Sequence, residues 1–314
     1  MTMHAIFQTI SSPNGLIQLQ TCAQYGGSIS RFTYKDVPLM RAFDETLPAP
    51  SIAPDLWALN MSGFPLTPYS NRIGHGKLHF QDRIYDIKDP LICGDHPNHG
   101  DGLARAWAVT HHTDHELVLE ITSKGDPYHY KATQTFVLDD TGLSLSIEIT
   151  NLSDLTLPFG TGHHTYYPRN DQTILKFNAP DVWESNNMLP TQLVKATGKF
   201  DFSQGKILND ENLTPTGQGD DGSAYLDHCF QGWDQTAEII WPDQKTKLLI
   251  GADQIFENFV VYIPSNQDFI CAEPVTNITD GFNQMHKGTQ NTGTVILAPK
   301  QSLVGKMIFS PVAL

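Results

Sequence analysis

Tyr128-His129-Tyr130-Lys131-Ala132-Thr133-Gln134-Thr135-Phe136-Val137-Leu138 runs into Asp139-Asp140-Thr141-Gly142 and then into Leu143-Ser144-Leu145-Ser146-Ile147-Glu148-Ile149-Thr150. In the second arm Leu143, Leu145, Ile147 and Ile149 fall on one face, and Ser144, Ser146, Glu148 and Thr150 on the other. A period of two belongs to a strand with one face on a core and the other in water. With turn formers between the arms, the segment predicts an antiparallel hairpin.

Shorter versions of the same pattern lie on both sides of it. Upstream, strands are expected over His4 to Ile10, Leu16 to Gln20, Ser28 to Tyr34 and Glu116 to Thr122. Lys77 to Phe80 and Arg83 to Ile87 flank Gln81-Asp82 as a second hairpin. Downstream, strands are expected over Ala237 to Trp241, Lys247 to Ile250, Phe259 to Ile263, Phe269 to Ala272, Thr292 to Ala298 and Leu303 to Phe309. Residues 44–70 read as a long connection. Pro65 and Pro68 near its end argue against a regular central strand and would hold Arg72 on a stiff, irregular support. Residues 180–222 read as surface excursions, with a short helical turn near Asn209-Asp210-Glu211 that Asn209 could cap. No helix of four turns and no repeat period stands out. Short, evenly spaced strands imply an all-β protein, a large antiparallel sandwich or barrel. No linker divides the chain, so residues 1–314 are read as one domain.

Composition narrows the partners. The 314 residues carry a formal net charge of −14, which disfavours nucleic acid and anionic membranes. Charged residues are 17% of the chain, too few for a disordered acidic tail. Cys22, Cys93, Cys229 and Cys271 form no C-x-x-C pair, so neither a zinc knuckle nor a disulfide framework is implied. Met1 to Phe7 lacks a basic segment followed by an apolar run, and no stretch of about 18 apolar residues occurs. A cytoplasmic setting is expected. Thirteen histidines make a proton-transfer or metal role worth weighing.

Five places could carry chemistry. Gly162-His163-His164-Thr165-Tyr166-Tyr167-Pro168 puts His164 and Tyr166 on one face of a strand and His163, Thr165 and Tyr167 on the other. An imidazole beside an aromatic ring suits a sugar pocket, although from this stretch alone a buried structural pair is the more ordinary account. Arg72 offers a planar fork of donors for hydroxyls or carboxylates, or for loop carbonyls. His96 and His99, with Asp95 and Asp101, raise the question of a metal. Nothing like H-E-x-x-H accompanies them, and a hydrogen-bonding histidine is preferred. Asp227 in Tyr225-Leu226-Asp227-His228-Cys229-Phe230 needs a partner, from the protein or a ligand. Glu273 ends the apolar run Phe269-Ile270-Cys271-Ala272-Glu273-Pro274, where burial raises a carboxyl's pKa and makes it a stronger base.

Taken together and in order, these pieces resemble the aldose 1-epimerase family. The resemblance runs from Pro65-Leu66 through Asn71-Arg72-Ile73, then His99-Gly100 and Trp107. It continues through His164 with Tyr166-Tyr167, Asp227 before Cys229-Phe230, and Glu273-Pro274-Val275-Thr276 leading to Asp280-Gly281-Phe282-Asn283. It implies a large, mostly antiparallel β-sandwich that interconverts the anomers of free aldoses without cofactor or metal. His164 and Glu273 would be the catalytic residues, and Arg72, His99 and Asp227 would bind substrate. Where the family often has Pro-Tyr-Phe, this chain has Thr165-Tyr166-Tyr167, so the identity of the sugar does not carry over.

Anomerisation needs a proton delivered to the ring oxygen and another removed from the C1 hydroxyl. Glu273 is expected as base and His164 as acid, with the Glu273 charge raising the histidine pKa. Three other readings share the scaffold or its residues. A hexose-6-phosphate epimerase would need clustered cations. A glycoside hydrolase would pair Asp227 with Glu273 and leave His164 idle. A carbohydrate-binding module would not need both His164 and Glu273.

Overall fold

A computed structural model describes residues 5–44, 46, 56–209, 211–213, 224–265 and 267–314. The hairpin forms where the alternation places it, with arms His129–Asp139 and Gly142–Asn151 paired from Asp139↔Gly142 to Tyr130↔Asn151. The Asp139 carboxylate accepts the Thr141 N–H at 2.7 Å and the Gly142 N–H at 3.1 Å, which closes the turn. Leu143, Leu145, Ile147 and Ile149 are fully buried, and Glu148 is exposed.

Among the described residues the chain builds two large antiparallel sheets, of nine and eleven strands. The nine-stranded sheet extends from the hairpin through Glu116–Lys124 to Ala108–His112 on one side. On the other it runs through Ser302–Ala313, Thr246–Ala252, Thr236–Trp241 and Ile174–Phe177 to Lys206–Ile207. The eleven-stranded sheet has the order Gln8–Ser11, Ile17–Cys22, Ser28–Tyr34, Gly63–Leu66, Gly162–Pro168, Phe269–Val275, Asn258–Ile263, Leu226–Gln231, Asp181–Asn186 and Leu189–Lys195, with Val37–Pro38 beside Ser28–Tyr34. One hydrophobic core joins the two: Phe136, Leu145 and Ile147 of the first sheet belong to it with Tyr167, Phe230, Phe259 and Ile270 of the second. A separate apolar cluster, including Phe64, Leu66, Tyr166, Cys229, Val260 and Cys271, covers the far face of the larger sheet. The central strands of that sheet are therefore buried on both faces, and that is why they alternate poorly in sequence.

The structure corrects several expectations. Gly63–Leu66 is a central strand despite Pro65. Its ladder to Ser28–Tyr34 is the single pair Ile29↔Gly63, so proline interrupts no continuous ladder on that side. Residues 181–195 are a strand pair, Asp181–Asn186 with Leu189–Lys195. Its two-residue turn, Asn187 and Met188, has both φ angles positive, at 48° and 60°. A Met in that place hides the turn from a reading based on Asn-Gly. The first strand is Gln8–Ser11 rather than His4 to Ile10, and His4 lies outside the described residues. At Asn209 the chain makes a turn, not a helix. The Asn209 side chain does cap the Asn212 N–H at 3.1 Å, while Asp210 lies outside the described residues. A short helix, Gly281–His286, packs on the hairpin strand Lys77–Phe80, its Asn283 side chain accepting the His79 N–H at 2.8 Å.

The hairpin gives a clean test of the two faces. Ile147→Ala should lower unfolding free energy by about 2–5 kcal/mol, the range for large-to-small changes in a packed core. Glu148→Ala, one residue away on the outer face, should change it by under about 0.5 kcal/mol. Urea denaturation of the two variants measures both, and equal effects would contradict the assigned faces.

Candidate active site

The strands Gly162–Pro168 and Phe269–Val275 pair as Gly162↔Val275 and Tyr166↔Cys271. That common register stands His164 opposite Glu273. Pro274 beside Glu273 has no N–H to give a ladder. The two side chains meet on the face away from the main core, with His164 Nε2 3.4 Å from Glu273 Oε1. Alternation along 162–168 falls as the sequence predicts. Tyr166 stands with His164 at a ring separation of 4.7 Å, Tyr167 enters the inter-sheet core, and His163 lies buried with Nδ1 3.0 Å from Thr165 Oγ1. Phe64 of the neighbouring strand stacks on the His164 ring at 4.7 Å and fixes its plane.

Arg72 and His99 come from two loops that hold each other. Asn71 and His99 both take left-handed backbone conformations, φ 63° and 69°. The His99 N–H donates to Asn71 O at 3.0 Å, and the Asn71 N–H donates to His99 Nδ1 at 3.1 Å. His99 Nδ1 is thus an acceptor, which puts the ring proton on Nε2. The neighbouring Gly100, at φ 72°, packs so closely that a Cβ there would lie 2.3 Å from Thr67 O. Asp227, on Leu226–Gln231, receives Arg72 Nη2 at 3.3 Å.

These five residues line one cavity of about 190 Å³, together with Asn71, Asn98 and Tyr262 and the apolar groups Phe64, Leu91, Val260 and Phe269. The other polar residues of the His99 loop go elsewhere. His96 accepts the His75 N–H at Nδ1, 3.0 Å away, and its Nε2 lies 3.1 Å from Asn187 O. Asp101 binds Arg105, Ser123 and Tyr130. His96 is therefore a buried hydrogen-bonding histidine, as the sequence suggested.

The aldose 1-epimerase family model matches residues 13–310. The chain belongs to this family. It is 27% identical over 296 residues to YphB of Escherichia coli K12, an uncharacterised protein, covering 94% of this chain and 95% of that one. A crystal structure of a candidate aldose 1-epimerase from Escherichia coli K12 superposes with a TM-score of 0.85 at 25% identity, covering 99% of this chain and 100% of the other. The structure of a GalM/aldose epimerase homologue from C. elegans gives 0.79 at 17% identity, over 99% and 100%. The fold is thus the galactose mutarotase-like sandwich of the family. No helix among the described residues is long and apolar enough to cross a membrane.

Within this cavity, burial shifts the titrating groups. It pushes the Glu273 carboxyl well above the usual carboxylate range, with Asp227 adding to the push and Arg72 opposing it. Burial also pulls His164 down to about 3, helped by Arg41, His163 and Arg72. His99 is lowered too, by burial and then by His164 and Arg72. The expectation that Glu273 raises His164 is therefore corrected. Burial is the largest influence on His164 and outweighs what the neighbouring carboxyl could add. Glu273 Oε2, His164 Nδ1 and Asn98 Oδ1 are buried with no hydrogen-bond partner among the described residues, an arrangement that asks for a polar guest.

Sequence reasoning missed Asn98 and Arg41. Asn98 is adjacent to His99 and bridges to Arg72 through the backbone, so a neighbour rule finds it. Arg41 has no such signal. Its guanidinium lies 3.8 Å from the Tyr166 ring centroid and donates to the Leu59 and Met61 carbonyls at 2.8 Å, contacts that only the folded sheet creates. Among the described residues, two groups could hold a metal by ligand spacing: His75, Asp95 and His96, and His164, Cys271 and Glu273.

The cross-bonded loops yield a prediction. Gly100→Ala forces both a left-handed alanine and a backbone clash, and should cost at least about 1–3 kcal/mol of stability by urea denaturation. A loss below about 0.5 kcal/mol would mean that the loop yields and does not hold His99 rigidly.

Proposed function

We propose that this chain is an aldose 1-epimerase acting on a free, uncharged aldose, with His164 and Glu273 as the acid–base pair. The observation that carries this reading is the 3.4 Å approach of His164 to Glu273 in the wall of a cavity that also presents the Arg72–Asp227 pair. Arg72, His99 and Asp227 would hold the sugar hydroxyls, and partial exclusion of water strengthens each bond. Among the described residues no lysine lines the cavity, and Arg72 is already opposed by Asp227, which favours an uncharged sugar over a phosphorylated one. Four unbridged cysteines suit a cytoplasmic setting.

The pair supports both halves of the reaction with a single proton. Burial of both groups favours a neutral imidazole, with that proton on Glu273. Its transfer to His164 gives carboxylate and imidazolium without any change in the number of protons bound. The carboxylate then takes the proton of the C1 hydroxyl while the imidazolium protonates the ring oxygen, and the C1–O5 bond opens. Rotation about C1–C2 presents the other face of the aldehyde. Ring closure reverses the two transfers and returns the proton to the pair.

Turnover, followed by polarimetry over a panel of free aldoses, should fall about 100- to 10,000-fold in Glu273→Gln and in His164→Asn. Arg72→Ala should lose about 1.5–3 kcal/mol of transition-state stabilisation, the worth of a charged hydrogen bond. Near-normal turnover in Glu273→Gln or His164→Asn would remove that residue from the mechanism.

The pH profile follows from the directions in which burial shifts the two groups. Activity needs one proton on the pair. A second proton arrives only as pH falls toward the depressed value of His164, about 3. The first leaves only above the raised value of Glu273. So kcat/KM should show an acid limb far below the ordinary histidine range and an alkaline limb above the ordinary carboxylate range. Both limbs are macroscopic properties of the pair. The residual activity of Glu273→Gln should lack the alkaline limb; the same limb persisting there would assign it to another group.

A further inference from the structure

We propose that His164, Cys271 and Glu273 form a soft-cation site that takes a zinc-class ion and, by occupying the acid–base pair, shuts off the reaction. Cys271 lies two residues before Glu273 on Phe269–Val275, so strand alternation puts both side chains on the same face. One ligand atom from each of the three residues falls within 4.8 Å of the other two. Bonds of about 2.0–2.3 Å to nitrogen, oxygen and sulfur close such a triangle after movements of about an ångström. Glu273 is 2% exposed and its Oε2 is unpartnered; His164 Nδ1 is unpartnered too. Cys271 is fully buried.

The donor set selects the metal. Imidazole, thiolate and carboxylate suit zinc, cobalt or cadmium, whereas magnesium and calcium want oxygen alone. On binding, the Cys271 S–H bond gives way to a sulfur–metal bond and its proton leaves to solvent; the carboxyl proton of Glu273 leaves likewise, and nothing is oxidised or reduced. One thiolate and one carboxylate then balance a divalent ion, so the occupied site is neutral in its apolar surroundings. Three protein ligands leave a fourth position open. The other candidate group, His75, Asp95 and His96, contains no sulfur, and both ring nitrogens of His96 already have partners.

The metal site stands on its own geometry; only the inhibition rests on the proposed function. Titrating the full chain with cobalt(II) should give a sulfur-to-cobalt charge-transfer band that saturates at one equivalent and is abolished by excess zinc(II). The band should vanish in Cys271→Ala and in Cys271→Ser, each checked for fold by circular dichroism. Cobalt affinity by equilibrium dialysis should drop at least tenfold in those variants and in Glu273→Gln. No band in the wild-type chain would overturn the proposal. So would a band that survives Cys271→Ala, which would point to another thiol, or unchanged affinity there, which would point to the His75 group. One equivalent of zinc(II) should also cut anomerisation at least tenfold. If no aldose is turned over at all, the proposed function falls while the cobalt band still decides the site.

Discussion

A carboxyl and an imidazole buried together against aromatic rings are the constraint on which the rest of the structure depends. Neither charge is welcome there alone, and burial drives Glu273 and His164 toward their neutral forms in opposite directions. Neutralisation of both is met by one shared proton. In the proposed reaction the ion pair would differ from the resting pair by a short transfer rather than by exchange with water. That economy holds only if the two groups cannot drift apart, and much of the surrounding architecture serves to prevent it. The paired strands put them in register, Phe64 fixes the imidazole plane, and Arg41 braces Tyr166 behind it.

The loop side of the cavity meets the same demand by different means. Asn71 and His99 stay in left-handed conformations that cost energy, and each holds the other there through two hydrogen bonds. A second clamp lies beneath. The Asn277 side chain accepts the Ser70 N–H at 3.2 Å and donates to Ser70 O at 2.9 Å. The proline-rich approach to Arg72 is thus tied to the segment that follows the Glu273 strand. The His164–Glu273 pair and Arg72 rest on connected supports.

The sequence is legible wherever one face of a strand meets water. Gly142–Asn151 shows its fold directly, because every second residue is exposed or half-exposed. Gly63–Leu66 does not, since it is buried on both faces and carries a proline that only a nearly ladder-free flank tolerates. The 181–195 strand pair is hidden for another reason: its turn uses a methionine where local rules look for glycine. For the site, the side chains with unusual chemistry were visible as residue types, and the order of their motifs brought them together. Their charge states were not visible. The direction of the His164 shift depends on how completely water is excluded and on Arg41, and a linear reading carries neither. Cys271 likewise reads as a core residue until alternation and register set its sulfur beside the pair.

The place of Ser302–Ala313 in the nine-stranded sheet has a consequence for how the protein comes into being. It lies between Gly142–Asn151 and Thr246–Ala252, with eight register pairs to the first and seven to the second. It is synthesised after every strand that it joins. Without it, each of those two strands has one edge with no partner on that side. Both edges are closed by this one late strand. Slow closure of such distant pairings is the phase in which nascent β-sheet chains are most exposed to aggregation and most dependent on chaperones.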